Sequence, residues 1–188
     1  MVSLYDDPIE LVDSRYEDWC ERYAAERDRL RDALAAASVD DRVRRIEHVG
    51  STAVPDLPAK DVVDVDVVVA DDAVPACTDA VADALGGTRY ENASTWHVVA
   101  RRHDGQRFNV HVFGVTDDGW RTSVATRDVL RERPAARDEY ADLKRDLAAD
   151  HDDLGAYSEG KSALVDRLLR EARHADDLAF DFAVPTPD

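Results

Sequence analysis

Two carboxylates, Asp64 and Asp66, alternate with valines in the run Val62-Val63-Asp64-Val65-Asp66-Val67-Val68-Val69. Side chains on a strand point to opposite faces in turn, so the two aspartates share one face and Val63, Val65 and Val67 the other. Two acids side by side on an apolar strand are costly unless a cation lies between them. Hard oxygen ligands favour Mg²⁺ or Mn²⁺ over zinc. Upstream, the alternating stretch Arg42 to Val49 leads into Gly50-Ser51, and a loop stiffened by Pro55 and Pro58 follows. A strand, a glycine turn and a short helix in that order aim backbone N–H groups outward, where they can hold a phosphate.

Gly50-Ser51, twelve intervening residues and then Asp64-Val65-Asp66-Val67 resemble the signature of the nucleotidyltransferase superfamily. The longer segment Ile46-Glu47-His48-Val49-Gly50-Ser51-Thr52-Ala53-Val54-Pro55, with Ala59-Lys60 after it, resembles one branch of that superfamily, the GrpB family. Weaker matches extend the resemblance over roughly Tyr16 to Ala172: Tyr16-x-x-Trp19, Tyr140-x-x-Leu143-Lys144 and Tyr157-x-x-x-Lys161. The resemblance implies that Asp64 and Asp66 bind the metal, with Asp66 at the catalytic centre. It also implies that Gly50, Ser51 and Thr52 meet phosphates, and that Lys144 and Lys161 reach the leaving phosphates. His48, Lys60 and Tyr157 are further candidates to line the substrate pocket. Each has a plainer reading: Thr52 as a helix cap, His48 as a satisfied structural histidine, Lys60 as a partner of Asp64 or Asp66, and Lys161 as a lysine snorkelling over Leu164, Val165 and Leu168.

Active nucleotidyltransferases carry a third carboxylate on a neighbouring strand. The strand expected there, Arg107 to Phe113, has Asn109 and His111 on one face and no acid. GrpB-like chains carry a His-Leu-His arrangement at this point, and Asn109 replaces the first histidine. His111 is then a metal ligand, a general base, or a structural histidine hydrogen-bonded to Asp64 or Asp66.

The elements that must position these groups are legible from periodicity. Ser14 and Glu17 have the spacing of a capping box, and Tyr16, Trp19, Cys20, Tyr23, Leu30 and Leu34 form one stripe, which predicts a helix from Arg15 to Ala37. Strands are expected over Arg42–Val49, Asp61–Ala70, Thr88–Glu91, Thr95–Arg102 and Arg107–Phe113, the last two joined by a tight His103-Asp104-Gly105-Gln106 turn. Between the second and third, Asp71-Asp72 are expected to cap a helix that runs to Leu85 and stops at Gly86-Gly87. Helices follow from Asp118, from Pro134 and from Tyr157 to His174, and the ending VPTPD is expected to be loose. The fold class is α+β: a nucleotidyltransferase-like mixed sheet of four to five strands, with an N-terminal helix and a C-terminal group of helices packed on it. All 188 residues are expected in one domain, with a core over about 14–174.

The formal net charge is -17, from 41 acidic and 24 basic residues. Such a surface repels nucleic acid and anionic membrane. Its arginine-rich, lysine-poor composition suits a halophilic cytoplasm, where salt screens self-repulsion. Lys60, Lys144 and Lys161 are the chain's only lysines, and a compact ammonium differs from a guanidinium as a point charge on phosphate. Cys20 and Cys77 lack metal-ligand spacing and are expected as buried free thiols. The opening MVSLYDDPIE has no basic stretch followed by an apolar one, so a cytoplasmic chain is expected. The resemblance implies metal-dependent transfer, with Mg²⁺ or Mn²⁺, of a nucleoside monophosphate from a triphosphate to an unknown acceptor. The alternative is a non-catalytic nucleotide-binding or folding-accessory module with a protein partner, because GrpB-like domains also occur fused to dephospho-CoA kinase.

Overall fold

The computed structural model describes residues 9–151 and 153–187. The valine-rich run folds as the second strand of a five-stranded mixed sheet, and its alternation divides the protein into two layers. The strands are β1 (Val43–Val49), β2 (Val62–Val69), β3 (Thr88–Ala93), β4 (Trp96–His103) and β5 (Gln106–Gly114), in the order β1-β2-β5-β4-β3. β2 and β5 are parallel and the other neighbours antiparallel. On one face Val63, Val65, Val67 and Val69 of β2, with Phe108, Val110 and Val112 of β5, pack against α1 (Tyr16–Ala36) and α2 (Val74–Leu85). The other face carries Asp64, Asp66 and Val68 beside Asn109, His111 and Phe113, in register across the parallel pair. α3 (Asp118–Glu132) covers part of this face through Trp120 and Val124. α4 (Pro134–Asp150), α5 (Leu154–Glu159) and α6 (Ser162–His174) complete that layer around Ala125, Leu130, Tyr140 and Leu168.

Several local expectations are corrected. α1 begins after Arg15 with no side-chain cap, and the Ser14 hydroxyl is buried without a partner. Here Trp19 fixes the helix start, because its buried indole donates to Asp61 at 2.9 Å. Asp71 and Asp72 do not cap α2. Asp71 accepts from the Thr116 amide and hydroxyl at 3.1 and 2.9 Å, tying the start of α2 to the β5–α3 connection, and Asp72 pairs with Arg42. The expected helix from Tyr157 is two helices. Asp153 accepts from Gly155 and Ala156 to start α5 early, and the chain turns at Gly160, where a Cβ would stand 2.4 Å from Leu147 Cδ2.

The chain leading into the VPTPD ending is tied down as far as Val184. Phe182 meets Trp120 edge-on at 4.9 Å, Asp181 pairs with Arg45 at 2.9 Å, and Arg173 donates to the Val184 carbonyl at 2.8 Å. Phe180 and Val184 join the apolar cluster beneath α6. Cys77 is buried as expected, whereas Cys20 is only partly so; both are free. Among the described residues no helix is long and apolar enough to cross a membrane.

Candidate functional site

The site is assembled where β1 ends against β2. Val49 lies across from Asp64, so Gly50 follows directly beside that carboxylate. Gly50 has φ 70° and ψ -169°, a conformation that side chains disfavour, and a Cβ there would stand 2.5 Å from Asp64 Oδ2. Backbone and carboxylate can approach this closely only because residue 50 is glycine. Ser51 then opens a 3₁₀ turn, Ser51–Ala53.

The two acids differ sharply. Asn109 Nδ2 donates to Asp64 Oδ1 at 3.0 Å, and His111 Nε2 lies 3.8 Å from the same oxygen. Burial pushes Asp64 up, but His111, Lys60 and Asn109 outweigh it and hold its carboxyl below the usual range. Asp66 is 1% exposed and neither of its oxygens has a hydrogen-bond partner. Burial first, with the Asp64 charge adding to it against the pull of His111, raises Asp66 to about 7. Burial lowers His111, and the two aspartates more than reverse that.

Trp96 settles how the neutral His111 ring is used. Its indole N–H donates to His111 Nδ1 at 3.3 Å. An indole N–H can only donate, so the neutral ring carries its proton on Nε2, the nitrogen facing Asp64. That arrangement turns an N–H of the neutral ring, not a lone pair, toward Asp64, at a 3.8 Å separation that is longer than a hydrogen bond. Among the described residues, no three His, Cys, Asp or Glu side chains form a group able to hold a metal ion. The Asp pair still fits Mg²⁺, which is commonly held by one or two carboxylates with phosphate oxygens and water completing the shell. The orphaned Asp66 carboxylate is the observation that favours a cation there.

All three lysines line one cavity of about 280 Å³, together with Ser51, Asp64 and Tyr157. Lys144 comes from α4, is 2% exposed, and donates to Ser51 Oγ at 2.8 Å and to the Pro58 carbonyl. Lys161 stands over the Tyr157 ring at 4.4 Å and Lys60 at 5.9 Å, while Lys144 lies over Tyr140 at 5.6 Å. Burial lowers all three. Lys144, also repelled by Lys161 and Lys60, falls to about 7, and Lys161, also repelled by Lys60, to about 8. A desolvated cluster of this kind is electrostatically short of anions. Asp64 is the carboxylate among the cavity's lining residues.

His48 is corrected: it does not line this cavity. It is buried, stacks on Tyr23 at 4.7 Å and bonds Thr52 Oγ1 at 3.1 Å, and burial lowers it to about 4. Thr52 reaches the cavity wall with its hydroxyl already engaged by His48. The sequence reading missed Arg127, which donates to Glu47 and to the His48 carbonyl at 2.9 Å each and so fixes the end of β1. It also missed Thr126, whose buried hydroxyl is unpartnered at the cavity wall, and Trp96, which sets the His111 tautomer. Only Trp96 had a signal available, directly after the two-residue turn that pairs β4 with β3; nothing in the helix pattern distinguishes Thr126 or Arg127.

The sequence pattern of the GrpB protein family matches residues 8–171. The chain belongs to the GrpB family. A UPF0157 protein of Deinococcus radiodurans is 36% identical over 156 residues, covering 82% of this chain and 77% of the relative. The glutamate-rich protein GrpB of Alkalihalophilus pseudofirmus is 26% identical over 154 residues, covering 74% of this chain and 84% of that protein. The crystal structure of the conserved protein GrpB from Enterococcus faecalis superposes with a TM-score of 0.72 at 26% identity, covering 87% of this chain and 96% of that one. The α+β architecture is therefore that of a solved GrpB-family fold.

Proposed function

We propose that this GrpB-family chain belongs to the nucleotidyltransferase superfamily and moves a nucleoside monophosphate from a triphosphate to an acceptor, with Mg²⁺ or Mn²⁺. The observation that carries the proposal is the convergence of the chain's only three lysines on the cavity that Ser51 and Asp64 line. Lys161 and Lys60 supply charge for the β- and γ-phosphates, and Lys144 holds Ser51 in place beneath them. Gly50 lets the backbone pass close enough to the Asp64 carboxylate for phosphate and acid to share one site. Asp64 and Asp66 would hold the metal, which when bound offsets the charge that develops on the phosphoryl oxygens. Asn109 donates to Asp64 and so orients it, and His111, set by Trp96, faces the same oxygen with its N–H.

A second reading, ligand binding without transfer, is favoured by one observation. The strand position beside the aspartates holds Asn109 and His111, and neither supplies a third carboxylate. The two readings part on product. In concentrated KCl, each nucleoside triphosphate with MgCl₂ or MnCl₂ is screened for a rise in melting temperature and for pyrophosphate release. Transfer predicts both, and predicts that both vanish in the Asp64→Asn, Asp66→Asn double variant. A rise without pyrophosphate across an acceptor panel selects the second reading; no rise with any nucleotide removes both.

A further inference from the structure

A second cavity, of about 500 Å³, opens on the other side of Asp64. It shares Gly50, Asp64 and Ser123 with the lysine-lined cavity, so the two are arms of one cleft. Their chemistry is opposite. The second arm is lined by Asp64, Asp66 and Asp117 and by the rings of Trp96, His111 and Phe113, and its lining includes no lysine or arginine. The rings are nearly parallel: Trp96 lies 5.7 Å from Phe113 at 13°, and His111 lies 5.9 Å from Phe113 at 11°. They present one aromatic wall.

Asp117 is fully used, since it accepts from Gly119 at 2.8 Å and from Thr95 at 2.8 Å. Asp66 is not. Both of its oxygens are buried and unpartnered in a residue that lines this arm. Its neighbour Ser123 donates to the Gly119 carbonyl at 3.1 Å, and the same hydroxyl lies close enough to favour the charged form of Asp66 without neutralising it. A carboxylate held this way calls for a positive group brought by a ligand. Aromatic faces beside it attract organic cations specifically, through the ring quadrupole.

We infer that this arm is the acceptor site, and that the acceptor carries an ammonium group held between the Asp66 carboxylate and the Trp96–His111–Phe113 wall. A separate hydroxyl of the same molecule forms the new bond to the α-phosphorus, releases its proton to solvent and displaces pyrophosphate. The word acceptor rests on the transfer reading; the ammonium site does not. The cleft is then bipolar, with polyphosphate at the lysines, the amine at the aromatic wall, and the shared Asp64 between them. A neutral alcohol of the same shape fits the wall equally well but leaves Asp66 without a partner, so charge is the discriminating property.

The test follows the Trp96 indole N–H resonance of the ¹⁵N-labelled full chain, assigned with Trp96→Phe, during titration with benzylammonium chloride or benzyl alcohol and with no nucleotide present. Benzylammonium is expected to bind at least ~10-fold more tightly than the alcohol. Asp66→Asn is expected to abolish that preference by weakening the cation alone, and Arg89→Gln, at a surface pair with Asp79 and Asp83 outside both arms, to leave it intact. Equal binding of the two probes by the wild-type protein overturns the proposal, as does an undiminished preference in Asp66→Asn. Repeating the titration with MgCl₂ and ATP separates amine from metal. Persistence of the shift supports an acceptor site, whereas its loss assigns Asp66 to the metal alone and overturns the acceptor. A benzylammonium response in a protein that shows no nucleotide effect leaves the ammonium site standing and removes the transfer reading.

Discussion

Replacing Asp66 by asparagine is expected to stabilise the protein at alkaline pH while destroying its proposed activity. Asp66 is 1% exposed with both oxygens unpartnered, and its carboxyl is raised from the usual 3.8 to about 7. Each tenfold in proton affinity corresponds to ~1.4 kcal/mol, so ionised Asp66 weakens the fold by ~4 kcal/mol. The sign follows from proton counting. Between 3.8 and about 7 the folded chain keeps a proton that the unfolded chain has released, so the free energy of unfolding falls as pH rises through that window. Above it the whole penalty is present. Asparagine keeps the shape and cannot ionise, and its buried amide costs about as much as the neutral acid. Urea unfolding in chelator, followed by circular dichroism, should therefore give curves within ~1 kcal/mol near pH 4 and a variant more stable by ~4 kcal/mol near pH 8. Groups common to both chains cancel in the difference. MgCl₂ should narrow the gap near pH 8 by binding the folded wild type. A variant less stable than wild type near pH 8, or a gap of equal size at both pH values, would refute the reasoning.

Gly50→Ala combines a backbone cost of ~1–3 kcal/mol with displacement of Asp64, so it should lower stability and nucleotide response together in thermal-shift assays; in an Asp64→Ala background the added loss should shrink. Lys144 is held near 7 by burial and by its lysine neighbours, so the unfolded chain binds its proton more tightly and the wild type gains stability as pH rises from about 7 toward 10.5. Lys144→Met should flatten that part of the urea-stability profile, and an unchanged slope would remove the desolvated lysine from the account. Glu26 is fully buried between Arg101 and Arg29. Glu26→Gln leaves Arg101 uncompensated and should cost ~3–5 kcal/mol in chemical unfolding, with nucleotide affinity unchanged in the folded fraction. Phe182→Ala removes the edge contact with Trp120 and should cost ~1–2 kcal/mol, a loss that a loose tail would not show.

The layered sheet was legible because β2 and β5 write their two faces in alternation: Val63, Val65 and Val67 with Phe108, Val110 and Val112 on one side, Asp64 and Asp66 with Asn109 and His111 on the other. The convergence of the lysines was foreshadowed by their rarity in an arginine-rich chain, a compositional signal that no pairwise spacing contains. What the sequence concealed depends on contacts between distant segments. Asp71 sits where a helix cap would be expected, yet bonds Thr116 across the chain. His48 lies within the phosphate-side motif and turns away from the cavity because Tyr23 offers a stacking surface behind it. The tail carries loop residues but also Phe180 and Phe182, which find apolar surface on α3 and α6. Local propensity set each of these expectations, and tertiary burial decided the outcome.

The contrast between the whole surface and the site bears on which ligands the cleft admits. A net charge of -17 repels any polyanion approaching from a distance, and that repulsion acts between exposed charges. Salt removes it efficiently, because the screening length is only ~3 Å at molar ionic strength. Lys144 and Lys161, desolvated within the cleft, are screened far less. Raising salt thus lowers the barrier to a small anion without erasing its attraction to the lysines. A long nucleic acid meets the net acidic surface over its whole length, with 41 acidic residues against 24 basic ones to oppose its other phosphates. Under the proposed function the charge distribution favours a compact polyphosphate over a polymer, and the ring-and-carboxylate arm on the far side of Asp64 is the proposed place for a positively charged partner.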